Sequence, residues 1–589
     1  MDDLRRAAHL VEALRARAAA TPDREALLFV GDPDDDASVR TLTYAGLDAE
    51  ARRIGSFLAA RCTPGERILL PFASATSFAA SFFGCLYAGA VAVPVPVPGQ
   101  YRHQRQRLRS IVKNAGIRTV LTDTESFPEV RDWATEQLGT ADPVVVAEDR
   151  ELGDADTWTL PEIGGGTVAL LQYTSGSTSE PKGVMVSHAN LQDNIANLQG
   201  AFALDPSTRY GGWIPVYHDM GLMGLLLPGI LLGNSAVLMS PTAFIRRPHQ
   251  WLRLIHRYDI GFSAAPNFAY ELCVNRITDA QTAGIDLSRW RFACSGSEPV
   301  RAATLRGFAE RFAGIGLRED AVIACYGLAE ATVFVSGTGP HRAPVTRVDT
   351  HRLEKHVFHP VGPDAPGRDL VGCGAVQGLD LRVVDPESGR VRAPGEVGEL
   401  WLRGPSVSSG YWQNEVATAA AFHGRTDDGE TGFLRTGDLG TVHDGELYVT
   451  GRIKETLVLR GRNLYPQDIE YELRLQHPEL QGGVGAAFTV PLADGSGEAL
   501  VVTHEIRARR DTDLVALTRA MRRTVSTEFG VHAAALLLLR PGVVRRTTSG
   551  KIQRAAMRGL FLDGELEPLH AHRDQDLLST GAEDEAGAA

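Results

Sequence analysis

"LLQYTSGSTSEPKGVMVSHANL", Leu170 to Leu191, passes from an apolar strand into a run of small and hydroxyl residues, then into Pro181-Lys182-Gly183. Hydroxyls and glycines in a row are poor core material. They suit backbone N–H groups that wrap an anion, and Lys182 supplies a cation beside them. The stretch is not a Walker A loop, which needs glycine directly before the lysine and Ser or Thr directly after it. Here Gly176 and Lys182 are six positions apart, Pro181 precedes the lysine and Gly183 follows it. The run is longer than a turn requires. We therefore read Thr174, Ser175, Gly176, Ser177 and Thr178, with Lys182, as a phosphate-binding loop that follows a strand over Val168–Tyr173.

The surrounding chain reads as α/β. Leu47, Ala51, Ile54 and Leu58 recur at helical spacing behind Thr43, a candidate N-cap. A strand (Arg67 to Pro71), a helix (Ser77 to Ala88) and a strand (Ala90 to Val93) follow. Further strands are expected at Ala236–Met239, Phe262–Ala264 and Val322–Cys325, so partly parallel sheets form layers with helices. The character changes after Gly451. A strand near Thr456–Leu459, a helix at Pro466–Leu475, strands at Gly485–Val490 and Ala499–His504, a helix carrying Leu514, Leu517, Met521 and Val525, a strand at Ala535–Leu539 and a last helix from Lys551 make a small α+β unit. The expected organisation is a large N-terminal domain of layered α/β subdomains (1–451), a hinge (452–455), a small mobile α+β C-terminal domain (456–573) and a disordered acidic tail (574–589).

The length of 589 residues supports at least two cores. The net charge of −12 argues against general nucleic-acid binding. The six cysteines are scattered without a CxxC pair, which suggests free thiols rather than zinc or disulfides, and a cytoplasmic setting. Leu222 to Met239 is the most membrane-like stretch, but Pro228, Gly229 and Gly233-Asn234 interrupt it. A buried helix, turn and strand are expected there, with no transmembrane segment.

Five further motifs follow the loop in order: "CSGSEP" (Cys294 to Pro299), "CYGLAE" (Cys325 to Glu330), "RTGDLG" (Arg435 to Gly440), "GRIKETLVLRGRNLYP" (Gly451 to Pro466) and "TTSGKIQR" (Thr547 to Arg554). Alone, each has a bland reading. Glu330 suits a first helical turn, Asp438 suits a turn, and Lys551 suits a solvated helix start. Together, and with "YHDMGL" (Tyr217 to Leu222) and "GRNLYPQDIE" (Gly461 to Glu470), they resemble the acyl-adenylate-forming superfamily and, within it, the fatty acyl-AMP ligases. The resemblance covers residues 10 to 560 or so.

That resemblance implies activation of a fatty acid by ATP and Mg²⁺ to acyl-AMP, with pyrophosphate released and the acyl group then passed to a thiol. By the same resemblance, Thr174 to Thr178 hold the β- and γ-phosphates with Lys182 nearby, and Glu330 binds the metal, as a hard oxygen ligand should. Asp438 accepts the ribose hydroxyls and Arg452 donates to the same sugar. Ser297, Glu298 and Pro299 sandwich adenine with Tyr326 and Gly327, and Cys325, Leu328 and Ala329 also bind the nucleotide. Lys551 reaches in from the small domain between carboxylate and α-phosphate, and Lys454 is the hinge. His218 and Asp219, with Gly296 and Ala329, border the acyl substrate. Ala329 replaces a threonine that many superfamily members carry before the metal glutamate, a departure that fatty acyl-AMP ligases share. His218 stands where amino-acid-activating relatives carry an aspartate, which suits an acid without an amine.

The stretch from Ser336 to Val371 is expected to be a subfamily insertion that packs against the large domain and favours an acyl carrier protein over CoA. His351, His356 and His359 lie inside it at a spacing that matches no metal motif. "GCGAVQG" (Gly372 to Gly378) misses the dinucleotide fingerprint by one residue and has no helix behind it. No carrier domain follows Lys551 in the sequence, so the expected carrier is a separate protein. The rival expectations are an acyl-CoA ligase, an aryl- or amino-acid adenylating enzyme, and a catalytically silent adenylate-binding homologue.

Overall fold

A computed structural model of the chain describes residues 2–99, 102–138, 144–149, 152–174, 181–339, 341–459, 462–492, 497–509, 512–547, 550–574 and 577. Thr43 caps the first long helix, Tyr44–Ala59, by accepting the Gly46 N–H on its Oγ1 at 3.1 Å. Leu47, Ala51, Ile54 and Leu58 all lie on its buried face. The next helix, Ala75–Tyr87, crosses it closely because two glycines leave room. A Cβ on Gly84 would lie 2.5 Å from Ile54 Cγ2, and one on Gly55 would lie 2.8 Å from Tyr87 Cβ.

These helices lie among two mostly parallel sheets. The first has eight strands in the order Ser336–Gly337, Val322–Tyr326, Phe292–Gly296, Ile260–Pro266, Arg209–Gly212, Ala236–Met239, Glu25–Val30 and Val39–Thr43, with only the two edge strands antiparallel. The second has six, in the order Val144–Val146, Thr119–Thr122, Arg67–Pro71, Val91–Val95, Val168–Tyr173 and Gly183–Ser187. Its last pair is antiparallel, with Tyr173 facing Gly183. Leu222–Leu226 forms a π-helical turn that continues into the helix Leu227–Leu231 and then the strand Ala236–Met239. Among the described residues, no helix is long and apolar enough to cross a membrane. All six cysteines are free.

Two expectations need correction. The third layer, Asp380–Val384, Gly398–Arg403, Gly424–Arg425, Thr431–His443 and Glu446–Arg452, is an antiparallel five-stranded sheet and not an α/β unit. Its turns at Gly429 and Gly445 have positive φ, so the chain reverses without a helix between strands. The last helix begins at Arg554 rather than Lys551. The segment before it turns back at Gly550, with φ +86°, and forms a bridge between Arg546 and Ile552.

In the C-terminal part, Gly485–Pro491, Glu498–Glu505, Ala533–Leu539 and His570–Arg573 form a four-stranded sheet covered on both faces. Ile469 and Leu473 of helix Pro466–Gln476, and Met521 and Val525 of helix Leu514–Phe529, cover Leu500, Val502, Leu536 and Leu538. Met557 and Phe561 of Arg554–Leu562 cover Val501, Leu537 and Leu539. Burial on both faces explains why Ala533–Leu539 reads as an unbroken apolar run. Asp574, expected at the head of a disordered tail, is paired with His532 Nε2 at 2.7 Å, and Leu577 is buried with Leu492. The remaining tail calls, 575–576 and 578–589, lie outside the described residues.

Candidate active site

The carboxyl ends of the parallel strands are where ligands bind in open α/β sheets, and the sequence motifs gather there. Strand Phe292–Gly296 ends on Ser297, whose φ of +69° is unusual for a residue with a side chain. Strand Val322–Tyr326 ends on Gly327, where a Cβ would lie 1.6 Å from Val333 O. Only glycine lets the chain fold back there. Glu330 follows in a short 3₁₀ turn, Ala329–Ala331. Thr174 closes the neck of the other sheet's hairpin by donating its N–H to Lys182 O at 3.2 Å. Ser175, Gly176, Ser177 and Thr178 lie outside the described residues.

A cleft of about 550 Å³, partly open to solvent, lies between Gly296, Ser297, Tyr326 and Gly327 at one end and Phe202, Phe262 and Phe334 at the other. The other end is apolar and includes Phe202, whose ring centroid lies 5.4 Å from Phe262, 5.2 Å from Phe292 and 5.6 Å from Phe334. Gly224, in the π-helical turn, also lines it. A Cβ there would meet only Met220 Cγ, at 3.7 Å. Asp219 lines the same cleft, 2.6 Å from His218 Nδ1. Burial alone would raise its pKa. The imidazole, the Lys551 ammonium and the Met220 N–H overcome that and hold the carboxyl at about 2.

Lys551 enters from the C-terminal part. Its N–H donates to Thr547 Oγ1 at 3.0 Å, and Gly550 rests on the Phe268 ring, where a Cβ would come within 2.9 Å. Burial lowers the pKa of the ammonium. Asp219, Glu298 and Asp438 raise it and Arg452 opposes them, so Lys551 sits at the convergence of groups from four separate motifs. Asp438 is buried, with Oδ2 accepting from Tyr326 Oη at 2.8 Å and Oδ1 accepting from Arg452 Nε at 2.7 Å. The Tyr326 ring is thus tied to the carboxylate through its hydroxyl.

Not every sequence candidate faces the cleft. Glu298 Oε1 accepts the Phe268 N–H at 2.7 Å, at the start of helix Asn267–Arg276, and burial raises its pKa. Pro299 is exposed, and Leu328 and Ala329 are buried. The described lining of the cleft includes Cys325 but not Ala329. Lys454 is exposed in the turn Ile453–Glu455.

Two residues emerge from the structure that the sequence did not single out. Tyr411 Oη donates to Glu330 Oε1 at 2.8 Å, and its ring lies 4.9 Å beneath Lys182 Nζ. It therefore links the candidate metal ligand to the candidate phosphate cation. Asn194 pins the loop that carries Glu330. Its Nδ2 donates to Ala331 O and Phe334 O at 3.2 and 2.8 Å, and its Oδ1 accepts the Phe334 N–H at 3.1 Å. Asn190, Asn194 and Asn197 recur at helical spacing in "HANLQDNIANL", a readable sign of a polar buried face. Tyr411 has no such local sign.

Residues 14–412 match the family described as AMP-binding enzyme. The chain belongs to that family. As a member of the AMP-binding enzymes, it is 37% identical over 575 residues to the medium-chain-fatty-acid–[acyl-carrier-protein] ligase JamA of Moorena producens, covering 95% of this chain and 96% of that one. It is also 37% identical over 586 residues to a 4-hydroxyphenylalkanoate adenylyltransferase of Mycobacterium tuberculosis, covering 95% and 93%. Among solved structures of AMP-binding enzymes, it is similar to a fatty acyl-adenylate ligase from L. pneumophila in complex with acyl adenylate and pyrophosphate. The TM-score is 0.75 at 34% identity, covering 97% of this chain and 99% of that one.

The region expected as an insertion touches both parts of the molecule. Val348, Leu353, Phe358 and Leu370 form a cluster with Val397, Leu439 and Tyr448, and Tyr465 joins it from the C-terminal part. Glu354 accepts from Arg462 Nη2 and Nε at 2.7 and 2.9 Å, and Arg368 pairs with Asp468 at 2.8 Å. Packing against the large domain alone is therefore an incomplete description. His356 Nε2 lies 3.1 Å from Asn463 Nδ2, and His351 is exposed, 3.8 Å from Glu354.

Proposed function

We propose that this enzyme activates a fatty acid as its adenylate with ATP, releases pyrophosphate, and passes the acyl group to the phosphopantetheine thiol of a separate acyl carrier protein in the cytoplasm. The observation that carries the reading is that Asp219, which lines a largely apolar cleft with Tyr326, and Asp438, which Tyr326 Oη engages, both act on the Lys551 ammonium. The names of the relatives, a fatty-acid–carrier-protein ligase and a fatty acyl-adenylate ligase, support it.

In the first step a carboxylate oxygen of the acid attacks the α-phosphorus, and the bond to the bridging oxygen breaks as pyrophosphate leaves. Such transfers depend on positioning and cations more than on covalent help. The acyl chain occupies the Phe202 end of the cleft, so its carboxylate emerges near Lys551. Asp438 holds the ribose. An ionised carboxylate offers about four acceptor positions, so two hydroxyls fit beside Tyr326 and Arg452. The Glu330 oxygen that Tyr411 does not engage suits Mg²⁺, which when bound neutralises charge on the departing pyrophosphate. Between steps the small domain rotates about Lys454. The Glu354–Arg462 and Arg368–Asp468 contacts are then among those released.

The direct test supplies ATP, Mg²⁺ and a mixed fatty-acid pool, with CoA in one arm and a carrier protein in the other, and reads products by mass spectrometry. Acyl-AMP in both arms with acyl transfer only to the carrier is expected. Efficient acyl-CoA formation would overturn the choice of acceptor, and absence of acyl-AMP would overturn the reaction.

Two variants probe the parts. Glu330→Ala should raise the Mg²⁺ concentration needed for activity by about 10–100-fold, with partial recovery at high Mg²⁺. An unchanged Mg²⁺ titration removes Glu330 from the metal. Gly224→Leu places four carbons into the cleft without a backbone clash. It should lower kcat/KM for acids that fill the cleft, at about 0.8 kcal/mol per methylene excluded, while short acids react as before. A chain-length series with unchanged preferences would place the acyl chain elsewhere.

A further inference from the structure

Helix Arg102–Ala115 lies against the second sheet through Leu108, Ile111, Val112 and Ala115. Arg107, Ile111 and Asn114 share one face by helical spacing, and that face meets the end of strand Val168–Tyr173. Asn114 Oδ1 accepts from Tyr173 Oη at 2.6 Å, and Arg107 Nη2 donates to Thr174 O at 2.7 Å. Thr174 is also the residue whose N–H closes the hairpin neck onto Lys182. Arg107 is therefore fixed on Thr174, the residue whose backbone pairs with Lys182.

Its surroundings are unusual for a guanidinium. Arg107 is half-buried, and among the described residues no carboxylate pairs with it. Its neighbour in the same helix, Arg105, has Glu136 at 2.7 Å. A cation withdrawn from water without a counter-ion is costly unless an anion arrives to complete the site. A guanidinium has five N–H donors in a planar fork that matches phosphate oxygens, and Thr174 O engages one donor of Arg107.

We infer that Arg107 binds the pyrophosphate half of the nucleotide, as a second cation beside Lys182, and takes up charge as the bond between the α- and β-phosphates breaks. This rests on the adenylating reaction proposed above. It adds a residue outside all the motifs, with a defined ligand chemistry: a di- or triphosphate, not a nucleoside or an acyl chain.

The test compares the parent with Arg107→Ala and Arg107→Lys. Calorimetry measures binding of inorganic pyrophosphate with Mg²⁺ and, separately, of an acyl-sulfamoyl adenosine, which lacks the β- and γ-phosphates. ATP–pyrophosphate exchange supplies KM values for ATP and pyrophosphate. Arg107→Ala should weaken pyrophosphate and raise both KM values at least tenfold, while acyl-sulfamoyl adenosine affinity stays within twofold. Arg107→Lys should recover part of the loss. Unchanged pyrophosphate affinity overturns the inference. So does an equal loss for both ligands, which would mark Arg107 as merely holding the hairpin. A parent that binds pyrophosphate through Arg107 yet yields no acyl-AMP would overturn the proposed reaction and leave this assignment standing.

Discussion

Lys551→Ala should lower acyl-AMP formation by about 10²–10³-fold, the loss seen when one preorganised transition-state donor is removed, or about 2.7–4 kcal/mol. ATP affinity should change little. Lys551 lies more than 100 residues beyond Asp438 and more than 300 beyond Asp219 in the sequence, yet both carboxylates act on its ammonium. Its contribution belongs to the moment when carboxylate and α-phosphate crowd their negative charge together. Burial weakens its hold on a proton, and Asp219, itself kept ionised, restores it. Single-turnover mass spectrometry reads acyl-AMP, and calorimetry reads ATP. The second step, from supplied acyl-AMP to carrier protein, should survive. Near-parental acyl-AMP formation in this variant would remove Lys551 from the chemistry, and a parallel collapse of ATP binding would make it a binding residue instead.

The sequence disclosed those features whose causes are local. The cap at Thr43, the period of Leu47 to Leu58 and the apolar strand before Thr174 are written within a few residues of each other, and the structure repeats them. Glu330, Asp438 and Lys551 were legible as an ordered set of motifs. What they touch was not. Tyr411 meets Glu330 across 81 positions, and nothing in "SGYWQN" announces it. Arg107 lies in none of the motifs, and only the partner sheet brings Thr174 O against it. The start of the last helix was misplaced because Lys551 has ordinary helix propensity. Gly550 and the Arg546–Ile552 bridge, both matters of backbone path, hold it out of the helix. Glu298 lies in an adenine-side motif, yet its carboxylate turns to the Phe268 N–H, a choice set by where the neighbouring helix begins.

Glu470→Ala should destabilise the C-terminal part by about 3–5 kcal/mol, the usual cost of stripping one partner from a buried ion pair. Glu470 is 4% exposed and Arg554 13%. Arg554 donates to both Glu470 oxygens, at 2.8 and 2.7 Å, and also to Glu455 in the hinge turn. Glu470 Oε1 further accepts the Ala487 N–H at 2.9 Å. One guanidinium thus joins the turn Ile453–Glu455, the helix Pro466–Gln476 and the segment carrying Lys551, three residues upstream. Removing Glu470 leaves Arg554 with Glu455 alone and orphans the Ala487 N–H, so the loss exceeds that of a surface pair, which is about 0–1 kcal/mol. Urea unfolding followed by hydrogen exchange across 456–573 measures it. The double variant Glu470→Leu with Arg554→Met should recover much of the stability, because it removes both charges together. It should not recover acyl-AMP formation, because the tie between hinge and Lys551 is gone. If the double variant were as active as the parent, Arg554 would serve stability alone, and the placement of Lys551 would depend on the Gly550–Phe268 contact instead.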